Sequence, residues 1–142
     1  MGLQERRYAA GLALVLIVLA AYVVTLAVRA LGDSAPLTEV AWQGPMLLAL
    51  AVGGTAYALT YGTMRWRARR EPAADERDVR VERAATAAGG GITSLAVLAS
   101  LLLLAFDAST FWVAQTLFLG SALGSVIESS TALAAYRGEV DA

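Results

Sequence analysis

Residues 8–28, YAAGLALVLIVLAAYVVTLAV, run for 21 positions without a charged side chain. At a rise of about 1.5 Å per residue, such a helix matches a hydrocarbon core of about 30 Å. Arg6 and Arg7 precede it as they would a signal peptide. The apolar part of a signal peptide is usually only about 7–15 residues, however, so this run reads as a span. Similar runs recur downstream. Residues 45–64 carry no charge, open on Pro45 in a position suited to a first helical turn, and hold Gly53 and Gly54. Residues 84–106 begin AATAAGGG and stay apolar to Phe106, and residues 111–136 hold one charge, Glu128. Water-soluble helices of this length show a polar face, and these do not. The predicted fold is an all-α membrane protein, an antiparallel four-helix transmembrane bundle forming one domain over residues 1–142.

The charges lie between the spans. Residues 30–44 (ALGDSAPLTEVAWQG) read as a short loop with Trp42 at the membrane interface, and residues 107–110 as a tight turn in which Ser109 or Thr110 caps the fourth helix. The stretch 65–83, RWRARREPAADERDVRVER, is strongly polar and is divided by Pro72. Asp75 is placed to cap a helix, and Glu76 to Arg80 forms a favourable i,i+4 pair, so the third helix is expected to start in water. All 11 cations are arginines. Arg6, Arg7, the seven arginines of 65–83 and Arg137 fall on one side, and Arg29 alone falls on the other. Short loops rich in Lys and Arg face the cytoplasm, so both termini and loop 65–83 are expected there. Arg65, Arg67, Arg69 and Arg70 directly follow a span, where such a strip anchors to anionic lipid headgroups; this position argues against direct nucleic-acid binding.

The chain has no Cys and no His, and it also lacks Lys. Zinc, haem and iron–sulfur ligand sets, Ser-His or Cys-His nucleophiles, Schiff bases and a phosphate-binding lysine are therefore excluded. No cofactor, metal or catalytic residue is expected, and the chain reads as a non-enzyme.

Glu128 is the sharpest single feature. It lies eight residues, about 12 Å, from Tyr136 at the end of the fourth span. A carboxylate at that depth must meet protein, water or a proton, which makes it a functional candidate. Gly120, Gly124, Glu128 and Ala132 follow at four-residue spacing and form one helix face. The G-x-x-x-G pattern of Gly120 and Gly124 allows close helix approach, and Gly89, Gly90 and Gly91 offer a small-residue surface or a bend in the third helix. Depth matching makes Tyr57, Tyr61 and Thr86 candidate partners for Glu128, with Arg83 the nearest cation expected to reach inward.

The segment DERDVRVERA at 75–84, with a Tyr-Arg-Gly ending at Tyr136, Arg137 and Gly138, resembles an uncharacterised family of small four-helix prokaryotic membrane proteins. Many of its members end Tyr-Arg-Arg-Gly, from which this chain departs. That resemblance implies a sensor or tether working beside a small helix-turn-helix regulator. The leading expectation is accordingly a regulatory or scaffolding protein, self-associating because four short helices leave little interior for a substrate cavity, that docks a cytoplasmic partner through Asp75, Glu76, Arg77, Asp78 and Arg80. Two other readings stand beside it: a small transporter or channel subunit with Glu128 as a proton or cation site between protomers, and an accessory subunit of a larger membrane complex.

The absence of native cysteine makes the topology directly testable. Thr38→Cys is expected to react with a membrane-impermeant maleimide in intact cells, and Ala74→Cys only after lysis; the reverse pattern would invert the orientation.

Overall fold

The computed structural model describes residues 3–34, 36–68 and 76–138. These form four helices, α1 (Leu3–Asp33), α2 (Gln43–Ala68), α3 (Glu76–Ala105) and α4 (Thr110–Arg137), with no strand among the described residues. Successive helices run antiparallel. Tyr8 near the start of α1 stacks on Tyr136 near the end of α4, at 6.3 Å between ring centroids, so both helix termini share one end of the bundle. At the opposite end Trp42 meets Phe111 edge-on at 6.0 Å. α1, α3 and α4 are long and apolar enough to cross a membrane.

The distribution of side chains is inverted relative to a soluble protein. Ile17 is 67% exposed, Leu48 65% and Phe106 82%, whereas the most enclosed side chain of any size is Val81. Water does not tolerate apolar exposure spread along every helix, but lipid does. What lies inside is small. On α3, Val81, Ala85 and Gly89 follow at four-residue spacing, with Ala96 and Ser100 further along, and all five are buried. They face Ala132, Gly124 and Gly120 of α4: Ala132 joins Val81 and Ala85 in one cluster, Gly89 lies against Gly124 and Glu128, and Gly120 lies against Ala96. α3 and α4 thus form the tightest pair, a hairpin of nearly touching backbones.

The hairpin is closed at both ends. Asp107, with φ 52°, turns the chain between the two helices in the left-handed conformation that Asp tolerates. At the other end Gly138, with φ 75°, caps α4 by donating its N–H to the carbonyls of Ala134 and Ala135. Arg77 donates to the Ala135 carbonyl at 3.1 Å, and the Tyr136 hydroxyl donates to Asp78 at 2.8 Å. α1 packs on α4, where Gln115 Nε2 donates to the buried Tyr22 hydroxyl at 2.7 Å. α2 packs chiefly on α1, with Gly53 against Val18 and Met46 in a cluster with Tyr22 and Leu26.

Several local expectations change. α1 continues to Asp33 and α2 starts at Gln43, so the connection is shorter than 30–44; Arg29 remains helical and donates to the Ala41 carbonyl at 2.8 Å. Trp42 packs on Phe111 and the Tyr22 cluster. Ser109 occupies the N-cap position of α4, but its side chain makes no capping hydrogen bond. The three glycines do not act together: α3 is continuous through them, Gly89 is buried at the contact, and Gly90 and Gly91 are exposed with nothing near the position of a Cβ. Residues advance about 100° around a helix, so three in a row cannot face one neighbour.

A Cβ at Gly89 would lie 2.6 Å from the Gly124 carbonyl oxygen. Gly89→Val is therefore expected to force the helices apart and cost ~1–3 kcal/mol, as overpacking does, whereas Gly90→Val stays near neutral. Unfolding in mixed micelles checks the pair; equal effects at the two positions would contradict this packing.

Candidate functional site

Glu128 stands where the α3–α4 contact ends and a cleft begins. Thr86 of α3 donates its hydroxyl to Glu128 Oε1 at 3.3 Å. On the other side of α4, α2 stands away from it and leaves a cleft of about 660 Å³, walled also by α1, that Glu128 lines. The cleft exists because α2 leans on α1 rather than closing onto α4. Gly11, Gly53 and Gly54 keep its walls thin, and Met46, Leu50 and Phe118 make its far end apolar. A row of hydroxyls, Ser121, Ser125 and Ser129, runs along α4 towards Glu128. Ser125 donates to the Ser121 carbonyl one turn back, as a serine in an apolar helix commonly does.

Two charges border the cleft, at different depths. Gly11 faces Ser129, whose Oγ would lie 3.8 Å from a Cβ at that position, so Glu128 is roughly level with Gly11. Arg7 stands one turn further out, about 6 Å. Its guanidinium lies 5.5 Å from the centre of the Tyr8 ring, and Nη1 donates to Gln4 Oε1 at 3.5 Å. Both side chains line the cleft, with the Arg7 backbone one turn nearer the end of the bundle.

Of the expected partners, Thr86 is the one hydrogen-bonded to Glu128, and Tyr57 shares the cleft with it. Arg83 lies in a shallow depression on α3 with Val79, Glu82, Thr86 and Ala87, outside the cleft. The side chain of Tyr61 lies outside the described residues, as do those of Arg65 and Arg67, and Asp75, Arg69 and Arg70 lie outside them altogether. Of the expected docking residues, Glu76, Arg77 and Arg80 are exposed and Asp78 is half-buried. Arg77 and Asp78 hold α3 to the end of α4. Gly120 and Gly124 pack on α3 within the chain, so their G-x-x-x-G pattern is occupied internally.

Sequence reasoning singled out Ser121, Ser125 and Ser129 as hydroxyls beside the Glu128 face, but missed Arg7 and Tyr8 as site residues and the Tyr22–Gln115 pair. Gln115 carried a usable signal, because an amide inside an apolar span needs a partner just as Glu128 does. The position of Arg7 in the cleft depends on how α1 and α4 align, which no local pattern records.

No family model matches the chain, and no curated protein or solved structure matches it either. The fold and side-chain distribution define the class, an all-α membrane protein built as a four-helix bundle.

Thr86→Val removes the hydroxyl from Glu128 while keeping the shape of the side chain. Interhelical hydrogen bonds of this kind are worth about 0.6 kcal/mol in membranes, so a small loss of stability is expected in Thr86→Val. The same change made in a Glu128→Leu background should cost nothing further; a full, additive loss there would show that Thr86 acts through some other contact.

Proposed function

We propose that this chain is a non-catalytic, multi-pass protein of a prokaryotic inner membrane that works as a small transporter or channel subunit, with Glu128 as its proton or cation site. The observation that carries this reading is the cleft between α1, α2 and α4, which ends at a carboxylate within the span. A cation or proton held there is stabilised by the carboxylate, whose attraction the low-dielectric surroundings strengthen, and a cation also by the Ser125 and Ser129 hydroxyl oxygens. The site lies within a single chain and does not require a second copy. Self-association would have to use surfaces other than Gly120 and Gly124, which α3 covers.

Docking of a cytoplasmic partner, such as a helix-turn-helix regulator, through loop 65–83 is the second reading. The exposed Glu76 and Arg80 favour it. Arg77 and Asp78 serve it less directly, since their hydrogen bonds join the start of α3 to Ala135 and Tyr136. In this reading they transmit strain from the bundle to the loop rather than touch the partner. Among the described residues, no feature singles out an accessory role in a larger complex.

Liposomes containing the protein and a trapped pH indicator separate the first two readings. Wild type is expected to collapse an imposed proton or monovalent-cation gradient, and Glu128→Gln, which retains an Oε1 acceptor for Thr86, is expected to lose at least about tenfold of that rate, equivalent to ~1.4 kcal/mol. Flux at the level of protein-free vesicles for wild type would end the transport reading. Capture of a soluble regulator that depends on Glu76 and Arg80 would then establish docking.

A further inference from the structure

Charges of both signs gather at one end of the cleft. Arg7 of α1 and Glu128 of α4 both line it there, and the Tyr8 hydroxyl, which lines the same end, interacts electrostatically with each. A ligand of one sign gains one partner and is repelled by the other, whereas a ligand bearing both signs gives each side chain an opposite charge and leaves the net charge of the cleft unchanged. A guanidinium offers several N–H donors and a carboxylate several acceptor sites, so both side chains can hold a ligand group alongside the partners they have within the fold. Away from this end, the ten positions from Glu128 back to Phe118 correspond to about 15 Å along α4. Over that length α1 and α2 contribute aliphatic walls, Leu14, Val18 and Leu50 among them, and α4 contributes the Ser121 and Ser125 hydroxyls. Ser125 gives its proton to the Ser121 carbonyl, so what it offers a ligand is an acceptor. Such a mixed wall suits a large side chain, aliphatic or aromatic, and tolerates a polar edge on it.

We infer that the cleft binds a free α-amino acid with a large apolar side chain, its carboxylate on Arg7, its ammonium on Glu128 and its side chain directed towards Phe118. This rests on the reading of Glu128 as a cation site and names the class of substrate that site takes. A zwitterion entering a low-dielectric cleft loses hydration at both of its charges, and a site that pairs both offsets that loss where a site with one charge does not. An α-amino acid carries its two charges on one carbon, so both meet their partners at the same end while the side chain points away. A zwitterionic phospholipid carries its charges in file, with the phosphate between the tails and the ammonium. With its tails towards Phe118, its phosphate would come to the level of Glu128 and its ammonium to that of the Arg7 backbone one turn further out, each facing its own sign.

The test measures the binding of three tritiated ligands that share a phenyl ring and differ in charge: L-phenylalanine, phenethylamine, which lacks the carboxylate, and 3-phenylpropionate, which lacks the ammonium. The full chain is held in nanodiscs of phosphatidylglycerol, a lipid with no ammonium to compete. Wild type is expected to bind L-phenylalanine at least about tenfold more tightly than either analogue. Arg7→Gln should bring L-phenylalanine down to the affinity of phenethylamine without weakening phenethylamine, and Glu128→Gln should bring it down to that of 3-phenylpropionate without weakening 3-phenylpropionate. A variant that has lost its fold weakens every ligand alike, so the crossed pattern reports the two contacts themselves. Either analogue binding as tightly as L-phenylalanine, binding of none of the three to wild type, or a uniform loss in both variants would overturn the inference. So would loss of L-phenylalanine binding when phosphatidylethanolamine replaces phosphatidylglycerol, which would give the site to a lipid headgroup. The liposome assay keeps the two conclusions separate: Glu128-dependent flux without L-phenylalanine binding rejects the amino acid and leaves the cation site standing, whereas the crossed binding pattern without flux leaves the amino-acid site and rejects proton or cation transport.

Discussion

Everything else in this bundle depends on how closely α3 and α4 approach. Between helices in lipid there is no hydrophobic gain from hiding a leucine, because the tails it leaves are as apolar as the helix it joins. What holds two helices is dispersion across a close contact, together with any hydrogen bonds the contact shelters, and both require the backbones to come near. Gly89, Gly120 and Gly124 permit that approach, and Ala85, Ala96 and Ala132 extend it along the pair. The large side chains that would form a core in water, such as Leu101 and Phe106, face outward.

That hairpin provides the surface on which α1 is fixed, and α1 is fixed by a different means. At one end Tyr22 and Gln115 share a buried hydrogen bond, and at the other Tyr8 stacks on Tyr136 while Tyr136 holds Asp78. Two polar or aromatic anchors thus sit at opposite ends of one helix pair, with glycine, serine and aliphatic contacts between. α2 packs mainly on α1. Its glycines and Met46 seat it on α1, and the gap that remains becomes the cleft. The candidate site follows from this hierarchy of packing, in which one pair is tight, one is pinned at its ends and one leans.

The helices themselves were legible from the run lengths alone, because an uncharged stretch of about 20 residues has few other readings. The face formed by Gly120, Gly124, Glu128 and Ala132 was legible too, since small residues at four-residue spacing mark a contact whatever the partner. The partner was not. A G-x-x-x-G stripe reads the same whether a second copy or a neighbouring helix of the same chain covers it, and here α3 covers it. The roles of Gly90, Gly91 and Trp42 depended on helix phase and on the final length of α1, which composition does not encode. The docking residues divided along the same line: Arg77 and Arg80 lie within one turn of α3 and are both exposed, yet Arg77 is bonded to Ala135.

The position of Glu128 joins these two kinds of packing. Had it stood one turn earlier, at Gly124, its side chain would have met the Gly89 backbone and Thr93, where there is no room for it. One turn later, at Ala132, it would have entered the cluster of Val81, Ala85 and Tyr8. At 128 its Cβ still contacts Gly89 and its carboxylate reaches Thr86, while the remainder borders the cleft left by α2. One oxygen is therefore held by the hairpin, and the residue also borders a space that can be filled or emptied. A carboxylate buried wholly in the hairpin would be neutralised or would destabilise the contact, and one wholly in lipid would be costly. Placed at the border, it is oriented by one pair of helices and available to a ligand between the others.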